Sequence, residues 1–378
     1  MLTGAPEPGL AADVIGDLDR RWDRVALVVV DALGWSAAER HAGHRFLRRV
    51  AGQGVVARLT AQFPSTTAAH MPTLHTGRPL AETGIYEWFQ YEPALDAIIA
   101  PLLFSLAGDA DRETLAARLD PEAVFPSTTL YEWLRAAGVA ASAIHPADIS
   151  TTTPSRMLLR GAEVRPFASP AAALAELRAA LALPAPAYAV AYLDAVDAAG
   201  HLCGPSSCEY DEAVVAVLDG LESLAEAGGD ALLVVTADHG QVDVDPERTV
   251  FVNQAWPEIS EHLRRGPDGR PLAPAGSARD LFLHVLSGHV DEVVARLQSM
   301  LGDRAAVRRV EDLLGEGLFG DAGERLLARL GDVVVLPRPG ETVWWYEQGR
   351  FDMHFRGHHG GLSHDEMEIP LLALPLDG

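Results

Sequence analysis

Three apolar runs, each closing on an aspartate, constrain this chain more than any other feature of its sequence. Val25-Ala-Leu-Val-Val-Val30 leads into Asp31, Tyr188-Ala-Val-Ala-Tyr-Leu193 into Asp194 and Asp197, and Ala231-Leu-Leu-Val-Val-Thr236 into Asp238 and His239. Runs of this length without polar alternation predict strands buried on both faces, as in a parallel sheet. Alanine-rich stretches of helical period, 170–183 and 209–227, lie between them. The expected fold is therefore α/β: a doubly wound, mostly parallel central sheet flanked by helices. In such sheets ligands sit beyond the carboxyl ends of the strands, where these Asp and His residues fall.

The remaining sequence fits one catalytic domain spanning 1–378 with a small α+β lobe at 275–330 inserted into it. The proline- and glycine-rich stretch 266–276 reads as a linker or exposed loop ahead of that lobe. Strands are expected near 281–285, from 307 into a short helix ending near 314, and at 332–336, with an amphipathic helix at 290–301. A net charge of −23 opposes binding to nucleic-acid polymers and to anionic membranes, both of which need a basic surface. Two cysteines, Cys203 and Cys208, are too few for a disulfide scaffold. The opening residues carry aspartates rather than the apolar core of a signal peptide, and no run approaches the roughly 18 to 20 apolar residues of a membrane span. The expectation is a cytoplasmic protein acting on a small molecule, with its oligomeric state open.

Taken singly, each Asp or His at a strand end has a plain structural explanation, as a turn cap or a loop residue. Their joint placement does not. Carboxylates gathered at one sheet edge repel one another unless cations offset the charge. A mixed Asp/His set favours zinc, whereas all-oxygen ligands favour magnesium or calcium. The spacing Asp197-x-x-x-His201 puts both side chains on one side of a helical turn, and Gly200 leaves room for close backbone approach. Asp238 and His239 can reach a common ion from one tight turn, and His359 lies in the glycine-rich Gly357-His-His-Gly-Gly361. A further segment, Phe63-Pro-Ser-Thr-Thr-Ala-Ala-His70, has hydroxyls where a helix begins. They can serve as an N-cap, and the same geometry suits an activated nucleophile facing an anion.

These segments resemble the nucleotide pyrophosphatase/phosphodiesterase (type I phosphodiesterase) family of the alkaline phosphatase superfamily. The segment from Phe63 through Gly77 to Thr83-Gly-Ile85 resembles its nucleophile motif, and Asp31 before Ala-Leu-Gly-Trp35 its first metal aspartate. Asp197-Ala-Ala-Gly-His201 before Gly204-Pro205, Asp238-His-Gly240, and His359-Gly-Gly-Leu-Ser363 before Glu366 and Pro370 follow in the family's order. The resemblance implies Thr67 as the nucleophile and two Zn2+, or other divalent transition metals. One ion would be held by Asp197, His201 and His359, the other by Asp31, Asp238 and His239 with Thr67 completing its shell. It implies hydrolysis of phosphodiester or pyrophosphate bonds of a nucleotide-type substrate through a phospho- or nucleotidyl-threonine. Phosphomonoesters and phosphonates, cleaved by related branches, stay open as alternative substrates, and so does a metal-stabilised binding protein without turnover. His70 stands where the family's asparagine contacts a phosphate oxygen, so His70 or a backbone N–H would take that role. Tyr86, Trp88, Phe89 and Tyr91 read equally as an aromatic wall for an organic group or as packing. Cys203 reads as a buried free thiol rather than a ligand. His358 and His364 read more readily as solvated loop residues than as partners orienting His359.

Overall fold

The computed structural model of the chain describes residues 14–18 and 20–376. The opening segment read above for a signal peptide lies largely outside them. Seven strands form the central sheet: β1 (Arg24–Val30), β2 (Val55–Thr60), β3 (Ala140–Pro146), β4 (Glu163–Phe167), β5 (Ala187–Leu193), β6 (Ala231–Thr236) and, from the end of the chain, Glu368–Leu376. Across the sheet the order is β2, Glu368–Leu376, β6, β1, β5, β3, β4. Strand β1 pairs in parallel with β5 on one side and β6 on the other, while Glu368–Leu376 runs antiparallel to both β6 and β2. The expected mostly parallel, doubly wound sheet is what forms.

The three apolar runs are its three central strands. Val30 pairs with Leu193 and Val29 with Thr236, so the strands end level and their trailing aspartates emerge at one edge. Every residue of β5 is buried, which its unbroken apolar sequence requires. Alternate residues of β1 serve opposite faces. Ala26, Val28 and Val30 pack against helices α1 (Arg45–Gln53), α3 (Pro170–Leu181) and α5 (Cys208–Glu226), while Val25 and Val29 pack towards Met71 and Tyr131. Met71 belongs to α2 (Thr67–Thr76), and α4 (Ala195–Cys203) leads from β5 towards α5.

Beyond the central sheet, Leu281–Leu283, Ala305–Arg309 and Val333–Pro337 form a three-stranded antiparallel sheet with Val333–Pro337 in the middle. Helix α6 (Val290–Leu301) packs on it through Val293, Leu297 and Leu301. This core is continuous with Phe63, Ala69 and Leu80 beside α2. The stretch 266–276 is exposed only at its tip: Leu272, Ala275 and Gly276 are buried, and the backbone bridges to Phe282 and Phe89. A Cβ on Gly276, whose φ is +86°, would stand 2.0 Å from the Asp280 carbonyl oxygen, so only glycine fits. Among the described residues no helix is long and apolar enough to cross a membrane.

Candidate active site

Asp31 leaves β1, Asp238 and His239 leave β6, and Asp197 and His201 project from α4 just after β5. His359 arrives from a distant loop that bridges back to the chain before α2, Gly360 against Ser65. The nucleophile candidate Thr67 is the first residue of α2; the N-cap is Thr66, whose side chain makes no capping hydrogen bond. Thr67 Oγ1 lies 3.0 Å from His239 Nε2 and 3.4 Å from Asp31 Oδ2. His239 Nε2 is in turn 3.4 Å from Asp31 Oδ1 and 3.5 Å from Asp238 Oδ2. On the other side, Asp197 Oδ1 is 3.3 Å from His201 Nε2 and 3.9 Å from His359 Nε2. The rings of His239 and His359 stack at 3.7 Å and join the two groups. All seven residues expected from the sequence therefore meet in one place.

The arrangement fits divalent cations. Asp31 Oδ1 and Asp238 Oδ2 are buried without any hydrogen-bond partner, a costly state for carboxylate oxygens that a cation relieves. Each of the three imidazoles turns Nδ1 to a backbone carbonyl, His201 to Gly357 at 2.9 Å, His239 to Gly240 at 3.1 Å and His359 to Ser65 at 3.0 Å. A carbonyl only accepts, so Nδ1 carries the proton and the Nε2 lone pair faces inward, ready to ligate. Asp31, Asp238 and His239 form one compact donor set, and Asp197, His239 and His359 another with His201 beside it. Burial first, then the charges of Asp238 and Asp197, push the Asp31 carboxyl well above its usual range. Burial, then His239 and His201, push His359 well below the usual histidine value. Both shifts reflect packed ligands without compensating charge.

Supporting residues were not apparent from the sequence. The Tyr192 hydroxyl donates to Asp31 Oδ2 from inside the apolar run of β5. Gln241 Nε2 donates to Asp197 Oδ1 at 2.5 Å. Ser65 both accepts from Gly360 N–H and donates to the Gly361 carbonyl, fastening the His359 loop to α2. Tyr192 and Gln241 each sit within three residues of an aspartate in the motifs, the only hint available.

Several expectations are corrected. His70 spends Nδ1 on the Thr66 carbonyl at 2.8 Å and Nε2 on the Gln62 N–H at 2.9 Å, so neither nitrogen is free for substrate. Burial pushes its pKa down to about 4, which keeps it neutral. Tyr86 is fully buried against Phe282 of the three-stranded sheet rather than in the site. Trp88 and Phe89 do line the cavity in front of Thr67, which has a volume near 540 Å³, and they are joined there by Trp344, Phe351 and Phe355. Tyr91 packs instead on His284, its ring 4.9 Å away. Cys203 is exposed rather than buried. His358 is not solvated: it is buried edge-on to His201, its Nδ1 accepts the His359 N–H, and burial pushes it down to about 3. His364 is 91% exposed and pairs with Glu368.

The mostly parallel sheet with its single antiparallel strand, carrying an acidic and histidine-rich edge, defines the class of α/β proteins with a candidate metal-binding site at the strand ends. Within that class the sequence profile of the Type I phosphodiesterase / nucleotide pyrophosphatase family matches residues 25–362. The chain belongs to this family of phosphoric-ester hydrolases. Murine ectonucleotide pyrophosphatase / phosphodiesterase 5 superposes with a TM-score of 0.68 at 17% identity, covering 93% of this chain and 87% of that one. An inactive threonine-to-alanine variant of the same murine protein in complex with AMP gives 0.69 at 17% identity, with 93% and 88% covered. Phosphonoacetate hydrolase from Sinorhizobium meliloti 1021, in complex with phosphonoacetate, gives 0.65 at 19%, with 95% and 92% covered. No curated protein sequence matches the chain.

Gly200 offers a direct test of the support around Asp197. A Cβ there would stand 1.9 Å from Gln241 Oε1 and 3.2 Å from the Tyr210 ring. Gly200→Ala is expected to push Gln241 off Asp197 and lower activity by roughly 10- to 100-fold, the usual effect of losing a partner that orients a ligand. Steady-state kinetics at wild-type level in this variant would show that Gln241 does not matter.

Proposed function

We propose that the chain is a two-zinc hydrolase of phosphodiester or pyrophosphate bonds in nucleotide-type substrates, acting through a covalent threonine intermediate. The observation that carries this is Thr67 Oγ1, 3.0 Å from His239 Nε2 and 3.4 Å from Asp31 Oδ2, beside carboxylate oxygens that have no other partner. Asp31, Asp238 and His239 would hold one zinc, or another divalent transition metal, and Asp197, His201 and His359 the other. Such ions, when bound, supply positive charge that stabilises a deprotonated hydroxyl and the phosphate oxygens and lowers the pKa of water.

The rest falls to the chain itself. Thr67 Oγ attacks phosphorus in line with the leaving oxygen, the bond to that oxygen breaks, and the phosphoryl or nucleotidyl group rests on Thr67. Water attacking from the opposite side releases it, so two inversions leave the configuration retained. The first N–H groups of α2 have no partner within the helix and point at the attacked phosphate. With both nitrogens of His70 engaged, those N–H groups take over the contact that an asparagine amide makes in relatives. Tyr192 and Gln241 hold Asp31 and Asp197 in place. A wall of Trp88, Phe89, Trp344, Phe351 and Phe355 suits a large organic group. A cavity of about 540 Å³ is far larger than phosphonoacetate needs, which favours a nucleotide-type substrate over a phosphonate. Cys203 and Cys208, exposed and unpaired, suit a reducing compartment, and the same reading puts the protein in the cytoplasm.

The test is a substrate panel of bis-p-nitrophenyl phosphate, a dinucleotide, p-nitrophenyl phosphate and phosphonoacetate, compared by kcat/KM. The two diesters are expected to lead. A large advantage for the monoester or for phosphonoacetate would overturn the substrate class while leaving the metal centre intact.

A further inference from the structure

Away from the active site, three side chains beside the three-stranded sheet converge on one point. His262 follows the short turn Pro257–Glu261, His289 is the N-cap of α6, and Glu292 lies in the first turn of that helix. His262 Nδ1 is 3.0 Å from His289 Nδ1. Glu292 Oε2 is 3.8 Å from the first of these nitrogens and 3.6 Å from the second. Ligands held at roughly 2.0–2.1 Å around a tetrahedral ion stand about 3.3 Å apart. The 3.0 to 3.8 Å sides of the triangle bracket that edge, and the 3.3 to 3.9 Å separations between Asp and His side chains in the active site begin at it.

A hydrogen-bonding account of the triangle is incomplete. One proton shared between the two Nδ1 atoms pairs the imidazoles, but it leaves Glu292 Oε2, 3.8 and 3.6 Å away, without a hydrogen bond to either ring. A divalent ion satisfies all three at once. The backbone around the triangle is fixed: Leu286 N–H donates to the His262 carbonyl at 2.8 Å, His289 N–H donates to the Leu286 carbonyl at 3.0 Å, and Leu263 bridges to Val285. The buried Ile259, Leu263, Val285 and Val293 anchor both sides. Glu292 and His289 face solvent, which leaves an entry path and an open fourth position for water. A chain with net charge −23 also concentrates cations at its surface.

We propose that His262, His289 and Glu292 form a further metal site, separate from the active site, for a borderline divalent ion such as zinc, nickel or copper(II), the class that a two-imidazole, one-carboxylate set selects. The ion ties the turn Pro257–Glu261 to the start of α6 and so closes the loop of chain between them. Its role is structural and exchangeable, with the open position occupied by water.

The experiment is equilibrium dialysis of the purified enzyme against micromolar zinc at neutral pH, followed by elemental analysis and activity assay. His289→Gln and, as a surface change that leaves the fold alone, Glu292→Gln are compared with wild type. Each variant is expected to hold one zinc fewer per chain, to hydrolyse bis-p-nitrophenyl phosphate as wild type does, and to lose the rise in melting temperature that zinc gives the wild type. The reading is the difference of one ion, not the total, so the site stands or falls independently of the catalytic centre. Equal zinc content in wild type and both variants would overturn the proposal. So would a loss of activity that accompanies the lost ion.

Discussion

Replacing Thr67 with alanine is expected to lower turnover by on the order of 10⁴- to 10⁶-fold, the scale on which removing a nucleophile acts. The size of the effect follows from where the hydroxyl stands. It is the only side-chain oxygen at the start of α2 within reach of both His239 Nε2 and Asp31 Oδ2. Thr66, next to it, is buried and makes no hydrogen bond to Asp31 or His239, so it cannot substitute without rebuilding the helix start. The six Asp and His side chains remain, and metal content is expected to stay at the wild-type level. Kinetics and elemental analysis on the same preparation separate the two effects. Full activity in Thr67→Ala would remove threonine from the mechanism, whereas loss of metal together with activity would make Thr67 a ligand first and a nucleophile second.

The second large effect is expected from the ion pair behind His359. Arg279 and Glu366 are 1% and 0% exposed and meet in a fork, Nε to Oε1 at 2.8 Å and Nη2 to Oε2 at 2.9 Å. Arg279 Nη1 also donates to the carbonyls of Arg338 and Glu341. Glu366 accepts from Gly361 N–H at 3.0 Å and from Ser363 Oγ at 2.6 Å, so it fixes the loop that carries His359. Arg279→Met leaves a buried carboxylate without its counter-charge, at a cost of about 3–5 kcal/mol. Urea denaturation is expected to show that loss, and activity should fall with the loosened loop. A loss under about 1 kcal/mol would mean that the loop is held by its glycine turns and packing instead.

The same pair sets a pH dependence. Burial alone would raise the Glu366 pKa, but the Arg279 charge and the hydrogen bonds hold it below the usual carboxylate value. A depressed carboxylate contributes stability above its unfolded pKa and loses it as pH falls through the folded value. Wild-type stability should therefore decline in acid, and Glu366→Gln should remove this part of the decline.

The catalytic edge was legible because its parts are local in sequence. Each of three strands announces itself as an apolar run, and an aspartate of the site follows within four residues of its end, as at Val30 to Asp31. The start of Pro170–Leu181 and the span of Val290–Leu301 followed from helical period for the same reason. What stayed hidden depends on contacts between distant segments. His70 looks free in sequence, yet its ring is claimed by the carbonyl one turn back and by the backbone of Gln62. Tyr192 reads as one more apolar residue of β5 until β1 brings Asp31 beside it. The far half of the aromatic wall, Trp344, Phe351 and Phe355, comes from a stretch without any motif. Tyr86 lies close in sequence to Trp88 and Phe89 but turns into the core around the three-stranded sheet, a choice made by Phe282 and Arg329 far downstream.

The central claim is that two ions sit between Thr67 and the six Asp and His side chains, and anomalous scattering from crystals of the active enzyme at the zinc edge tests it most directly. The expected result is two peaks at that edge of the sheet, one bounded by Asp31, Asp238 and His239, the other by Asp197, His201 and His359. An active crystal with no transition-metal peak there would contradict it.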